Sequence, residues 1–207
     1  MTDLTKWPRL IVAGVPVTED QADNILIRTS CLWFLHVNDQ QWNRTVARIL
    51  NIDLDTHGFH TAASVRDTNT RLGILDLQYL HTSRIASSWI GGPHGWCDWT
   101  GAIGCSNYNI GKWPSTEDVT ADWQTIAAAF PFLDLTAQLV TEEGDGEFVA
   151  EWRVVNGTVE QREPTGLVAA GTELGEADFM RCLMMGGERG VTPERLQAAV
   201  ARVEAQR

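Results

Sequence analysis

Lysine is nearly missing from this chain: only Lys6 and Lys112 are present, and every other basic residue apart from the histidines is arginine. Acids outnumber bases by 27 to 16, which leaves a formal net charge of -11. A chain this acidic is repelled by phosphate backbones, so non-specific nucleic-acid binding is disfavoured. Long apolar runs are also missing. No window approaches the roughly 18 residues that a membrane-spanning helix needs. The start, Met1 to Pro8, has no basic stretch leading into an apolar one, so no secretory signal is expected and the expected location is a bacterial cytoplasm. Cysteine is sparse and scattered at Cys31, Cys97, Cys105 and Cys182, which does not suit a disulfide scaffold. Tyrosine is down to 2 residues while tryptophan reaches 9. There is no P-loop, no Gly-x-Ser-x-Gly elbow and no His-Glu-x-x-His, which removes the commonest readable catalytic signatures.

What remains is ordinary globular composition. The 207 residues are 43% hydrophobic and 21% charged, enough for a packed core without cross-links. Arg9–Ala13 reads as a strand. Thr18 with Gln21 forms a capping box for a helix to about Thr29, with Ala22, Ile25 and Leu26 inward. Cys31–Val37 reads as a buried strand. Asn38 and Gln41 repeat the capping pattern, and Trp42, Val46, Ile49 and Leu50 follow on one helical face. Asn51–Arg71 is polar and aperiodic and is expected to be a long loop. Leu72–Leu80 alternates and is expected to be a strand.

Ser115 opens a helix with Val119, Trp123, Ile126, Ala127 and Phe130 on one face, closed by Pro131. Phe132–Val140, Phe148–Val155 and Thr158–Glu163 read as strands. Asn156-Gly157 is the dipeptide of a tight hairpin turn. A short helix is expected at about Glu176–Met185. Thr192 and Pro193 open a last helix with Leu196, Ala199, Val200 and Val203 along one side. The order predicts an α+β fold, with a single domain over residues 1–165 and a C-terminal helical extension over 166–207.

Four groups of residues could carry chemistry. Trp89, Trp96, Trp99 and Trp113 crowd the glycine-rich segment 87–113. Indole faces stack on bases or sugars, and glycines permit close approach, so this segment is a candidate ligand pocket. Arg71 and Arg84 are its candidate charge partners for an anion, with Arg66 and Lys112 also near in sequence. In the same segment Cys97 could be a nucleophile with His94 as its base. Alternatively His94, Cys97 and Cys105 could hold zinc with His57, His60 or His81, although zinc is not favoured over two small buried thiols. The acidic group Glu142, Glu143, Asp145, Glu147 and Glu151 reads as a solvated hairpin tip or an acidic surface.

The paired Trp96 and Trp99 precede a helix that Phe130-Pro131 ends. Leu133-Asp134-Leu135, Glu151-Trp152 and Asn156-Gly157 then follow. On these residues, from Trp96 to Gly157, the chain resembles the ferredoxin-like domain of the YubB family of phage and plasmid proteins. It departs from that pattern at Cys97, Asp98 and Gly101–Gly111. The resemblance implies a ferredoxin-like sheet, mixed or antiparallel, with helices on one face, to which the helices read from the C-terminal pattern are added. It also implies a mobile-element origin, and it implies no reaction. The density of tryptophan and glycine makes binding the expected function, with an enzyme that uses Cys97 as nucleophile or a His/Cys zinc site as the second expectation. The expected protein is a small phage or mobile-element accessory protein that holds an anionic small molecule, such as a nucleotide, or a host protein. A homo-oligomer joined through the C-terminal helix is the third expectation.

Overall fold

Apolar side chains alternate along two neighbouring strands, and that alternation builds the centre of the fold. The computed structural model describes residues 9–30, 40–56, 60–77, 106–107, 116–140, 148–164, 166 and 192–207. Strands β3 (Asp134–Val140) and β4 (Phe148–Val155) pair antiparallel, placing Leu135 opposite Val154, Ala137 opposite Trp152 and Leu139 opposite Ala150. All six of these side chains are buried on one face. The hairpin turn Asn156-Gly157 has φ of 50° and 76°, the left-handed geometry this dipeptide favours, and it leads into β5 (Thr158–Arg162). On the other side β1 (Arg9–Gly14) pairs with β3, and the two-residue β2 (Ser106–Asn107) pairs with β1. The sheet order is β2-β1-β3-β4-β5, with every pairing antiparallel.

Helices α1 (Glu19–Ser30) and α4 (Thr116–Ala129) cover the buried face. Val119, Trp123, Ile126, Ala127 and the following Phe130 form one cluster with the strand residues, joined by Ala22 and Ile25 of α1. The Thr18 capping box is present, with the Thr18 amide donating to Gln21 Oε1 at 2.8 Å and the Gln21 amide to Thr18 Oγ1 at 3.3 Å. A second cluster lies on the far side of α1. Ile27 meets Val46, Ala47 and Leu50 of α2 (Gln40–Ile49) and its end, Leu72 of α3 (Ala62–Leu72), and Leu196, Ala199, Val200 and Val203 of α5 (Pro193–Ala205). Helix α1 is thus the shared wall of two cores. The protein is an α+β fold, and among the described residues no helix is long and apolar enough to cross a membrane.

Four expectations are corrected. The polar stretch Asn51–Arg71 is not one loop, because it holds most of α3. That helix buries Ser64, Thr68 and Leu72 at i, i+4 and i+8, so its inward stripe is mostly hydroxyl and carries no apolar period. Ser64 Oγ accepts from the Asp53 amide at 2.6 Å, and Thr61 caps the helix by accepting from the Ser64 amide. Leu72–Leu77 is not a strand: Leu72 ends α3, Gly73 caps it at φ 61°, and the chain continues without a ladder. Its side chains still divide, with Ile74 against the second cluster and Leu75 and Leu77 in the first. Glu151 is no part of an exposed acidic surface. It lies in mid-strand, 7% exposed, and accepts from Gln138 Nε2 at 2.6 Å. Finally, the apolar side of α5 is no free interface for a second copy, since its four apolar residues are at most 4% exposed within this chain.

One glycine sets how closely β1 approaches β3. A Cβ on Gly14 would stand 2.5 Å from both the Asp134 carbonyl oxygen and Leu135 Cβ. Gly14→Ala must push the two strands apart where the Val15 amide donates to Asp134 O. A loss of about 1–3 kcal/mol is expected, read from urea unfolding. An unchanged midpoint would show that the strands part there without strain.

Candidate functional site

Helix α2 has the composition of a two-faced element. Its sequence Gln-Gln-Trp-Asn-Arg-Thr-Val-Ala-Arg-Ile contains no acid. Trp42, Val46 and Ile49 turn toward the second cluster. The remaining positions Gln40, Gln41, Arg44, Thr45 and Arg48 recur at i, i+4 and i+8 and so share the outward side. Among the described residues, those five line a solvent-open cavity of about 610 Å³. The volume is in the range of small-molecule sites.

Among the described residues, the charge at this cavity is unbalanced. Arg44 and Arg48 are exposed, and neither guanidinium has an ion-pair or hydrogen-bond partner among the described residues. Most other described arginines are committed. Arg28 donates to Gly73 O and Ala129 O and sits 5.1 Å above the Phe130 ring. Arg153 bonds Asp134 and Leu135 O, Arg162 bonds Glu160, and Arg207 bonds Thr70 O. Arg195 and Arg202 converge on Asp23. Two free cations on an acid-free helix stand out on a chain of net charge -11. Thr45 Oγ1 donates to Gln41 O at 3.0 Å, which leaves its oxygen as an acceptor toward the cavity.

Arg71 is the one proposed ligand residue that falls in the described structure. It sits in the last turn of α3, ion-paired with Glu204 of α5 and donating to Leu50 O. Its guanidinium therefore joins three helices rather than standing free. Trp89, Trp96, Trp99, Trp113, Arg84, His94, Cys97 and Cys105 lie outside the described residues, as do His57, His81, Lys112 and the acids 142–147. His60 makes an isolated bridge with Leu54. Among the described residues no three His, Cys, Asp or Glu side chains converge as metal ligands would. Of the tryptophans placed, Trp123 and Trp152 are fully buried and Trp42 is half-buried.

Two features escaped the sequence reading. The Arg44–Arg48 pair is visible as two basic residues at i, i+4 within an acid-free segment, but spacing alone does not show whether they have partners. The second is the cluster around Asp23, whose side chain is 2% exposed. Arg195 Nη2 lies 3.3 Å from Asp23 Oδ1 and 2.8 Å from Glu19, while Arg202 bonds Asp23 Oδ2 and approaches Asp20 at 3.3 Å. Burial pushes the Asp23 carboxyl above its ordinary range, outweighing the pull of the two arginines. Comparison of the chain with protein-family models, curated proteins and solved structures finds no match to any of them.

Proposed function

We propose that this is a small accessory protein of phage or mobile-element type that binds an anionic small molecule at the outward face of α2. The observation that carries the reading is the pair Arg44 and Arg48, unpartnered among the described residues and lining a ligand-sized cavity. Paired guanidiniums recognise oxyanions through forked, charge-assisted hydrogen bonds. Placing two of them uncompensated on one face costs self-repulsion, and a bound anion relieves it. Trp89, Trp96, Trp99 and Trp113, with Arg84, stay in this reading as the proposed aromatic contribution, and a bound nucleotide would use both chemistries.

A ferredoxin-like sheet belongs to the same proposal. In its support, α4 runs directly into β3, β3 pairs with β1, and α1 and α4 share one face of the sheet. The antiparallel pairing of β2 with β1 stands apart from the parallel pair of a split βαβ unit.

The test is calorimetric titration with adenosine monophosphate. In the variant carrying Arg44→Gln and Arg48→Gln, affinity should fall roughly 10- to 100-fold, as expected for losing charge-assisted hydrogen bonds. The melting temperature should hold, because both side chains are exposed and make no contact that the fold needs. Equal affinity in the wild type and the double variant would remove α2 from the site.

A further inference from the structure

We infer that the α2 face selects a phosphomonoester dianion carrying an organic group, in preference to a singly charged anion or bare phosphate. This deepens the anion-binding reading and rests on it. Arg44 and Arg48 are one helical turn apart, which sets their Cβ atoms about 5–6 Å from each other on the same side. Two guanidiniums at that spacing can converge on one tetrahedral group, each offering two N–H donors to its oxygens. Two positive charges are neutralised by a dianion. A sulfate monoester or a carboxylate leaves one of them uncompensated.

The rest of the lining fits the organic part. Gln40 and Gln41 are neutral, and the Gln40 amide can both donate and accept. The Thr45 hydroxyl has its proton committed to Gln41 O, so it offers an acceptor and would repel an anionic oxygen. The described part of the lining therefore grades from a cationic stretch at Arg44 and Arg48 to neutral groups at Gln40 and Gln41. A cavity of about 610 Å³ is also far larger than a bare phosphate fills. A long polyanion is a poor occupant, since a chain of net charge -11 repels it beyond the local site.

The experiment compares phenyl phosphate, phenyl sulfate and inorganic phosphate by calorimetry at pH 8 and low salt, on the full chain. The two aryl esters have nearly the same shape and differ by one charge, because the second phosphate ionisation lies near pH 6. Phenyl phosphate should bind at least tenfold tighter than phenyl sulfate and tighter than inorganic phosphate. In Arg44→Gln and in Arg48→Gln, each measured alone, the preference for phosphate over sulfate should shrink to within about threefold. Phenyl sulfate binding the wild type as tightly as phenyl phosphate would overturn the dianion inference and leave anion binding standing. Phenyl phosphate binding no tighter than inorganic phosphate would overturn the role of the organic group. No binding of any of the three to a protein with an unchanged circular-dichroism spectrum would overturn anion binding at α2 itself.

Discussion

Replacing Arg195 and Arg202 together with methionine should lower the unfolding free energy by about 3–5 kcal/mol at neutral pH. The two arginines of α5 are the cations that hold Asp23, whose side chain is 2% exposed, and without them a carboxylate is stranded between helices. Arg202 is itself 38% exposed, so water screens its share and the lower end of that range is expected. Adding Asp23→Leu to the double variant should restore most of the loss, because a well-packed apolar replacement has no charge left to desolvate. The deficit should also depend on pH. The folded-state pKa of Asp23 is already raised, mainly by burial, and removing the arginines removes the two influences that lower it. An acid whose pKa is higher folded than unfolded takes up a proton on folding. Its cost is full above the folded pKa and fades as pH falls toward about 3.9. Urea unfolding at pH 7 and pH 4.5 should thus show a smaller gap between variant and wild type in acid. A gap that widens in acid, or a loss under about 1 kcal/mol at pH 7, would mean that Asp23 does not depend on these partners.

Trp152→Ala should cost about 3–5 kcal/mol, a large fraction of the roughly 5–15 kcal/mol that typically separates folded from unfolded protein. The indole is completely buried in the first cluster, and its N–H donates to Thr120 Oγ1 at 2.7 Å. Trp152→Phe separates the two contributions. It keeps most of the apolar volume and removes the hydrogen bond, so a loss of about 1–2 kcal/mol is expected. Thr120 then keeps its bond to Thr116 O at 2.6 Å, which limits the damage. Thermal or urea unfolding reads both variants. If phenylalanine proved as damaging as alanine, the hydrogen bond would outweigh the packing.

Elements with apolar period were readable in the sequence. Val119, Trp123, Ile126 and Ala127 of α4 and all four inward residues of α5 are buried as their spacing implies. Phe148–Val155 and its turn match residue for residue, because alternation and the Asn-Gly pair are local signals. Helix α3 was hidden because Ser64 and Thr68 occupy inward positions, and only its Thr61 and Gly73 ends announced it. Contacts between distant segments left no trace in local pattern. Nothing near Asp23 in sequence points to Arg195, 172 positions away, or near Arg9 to Val140. The site was legible by halves. Arg44 and Arg48 stand in plain view at helical spacing, but their lack of partners among the described residues shows only in the fold, where most other described arginines, Arg66 apart, are paired.

The position of α1 between two cores has a consequence for synthesis on the ribosome. One side of this helix needs strands beginning at Asp134, and the other needs a helix beginning at Pro193. At about 5–20 residues per second, Arg195 is polymerised roughly 10–30 s after Asp23. For the part of that interval before β3 and β4 are made, α1 is without the strands of its first core, and for the whole of it α1 lacks the α5 side of its second. Its Ile25 and Ile27 are then the exposed surface that a chaperone would hold. Completion of the second core around α1 therefore waits for synthesis of α5 rather than for the helix propensity of α1 itself.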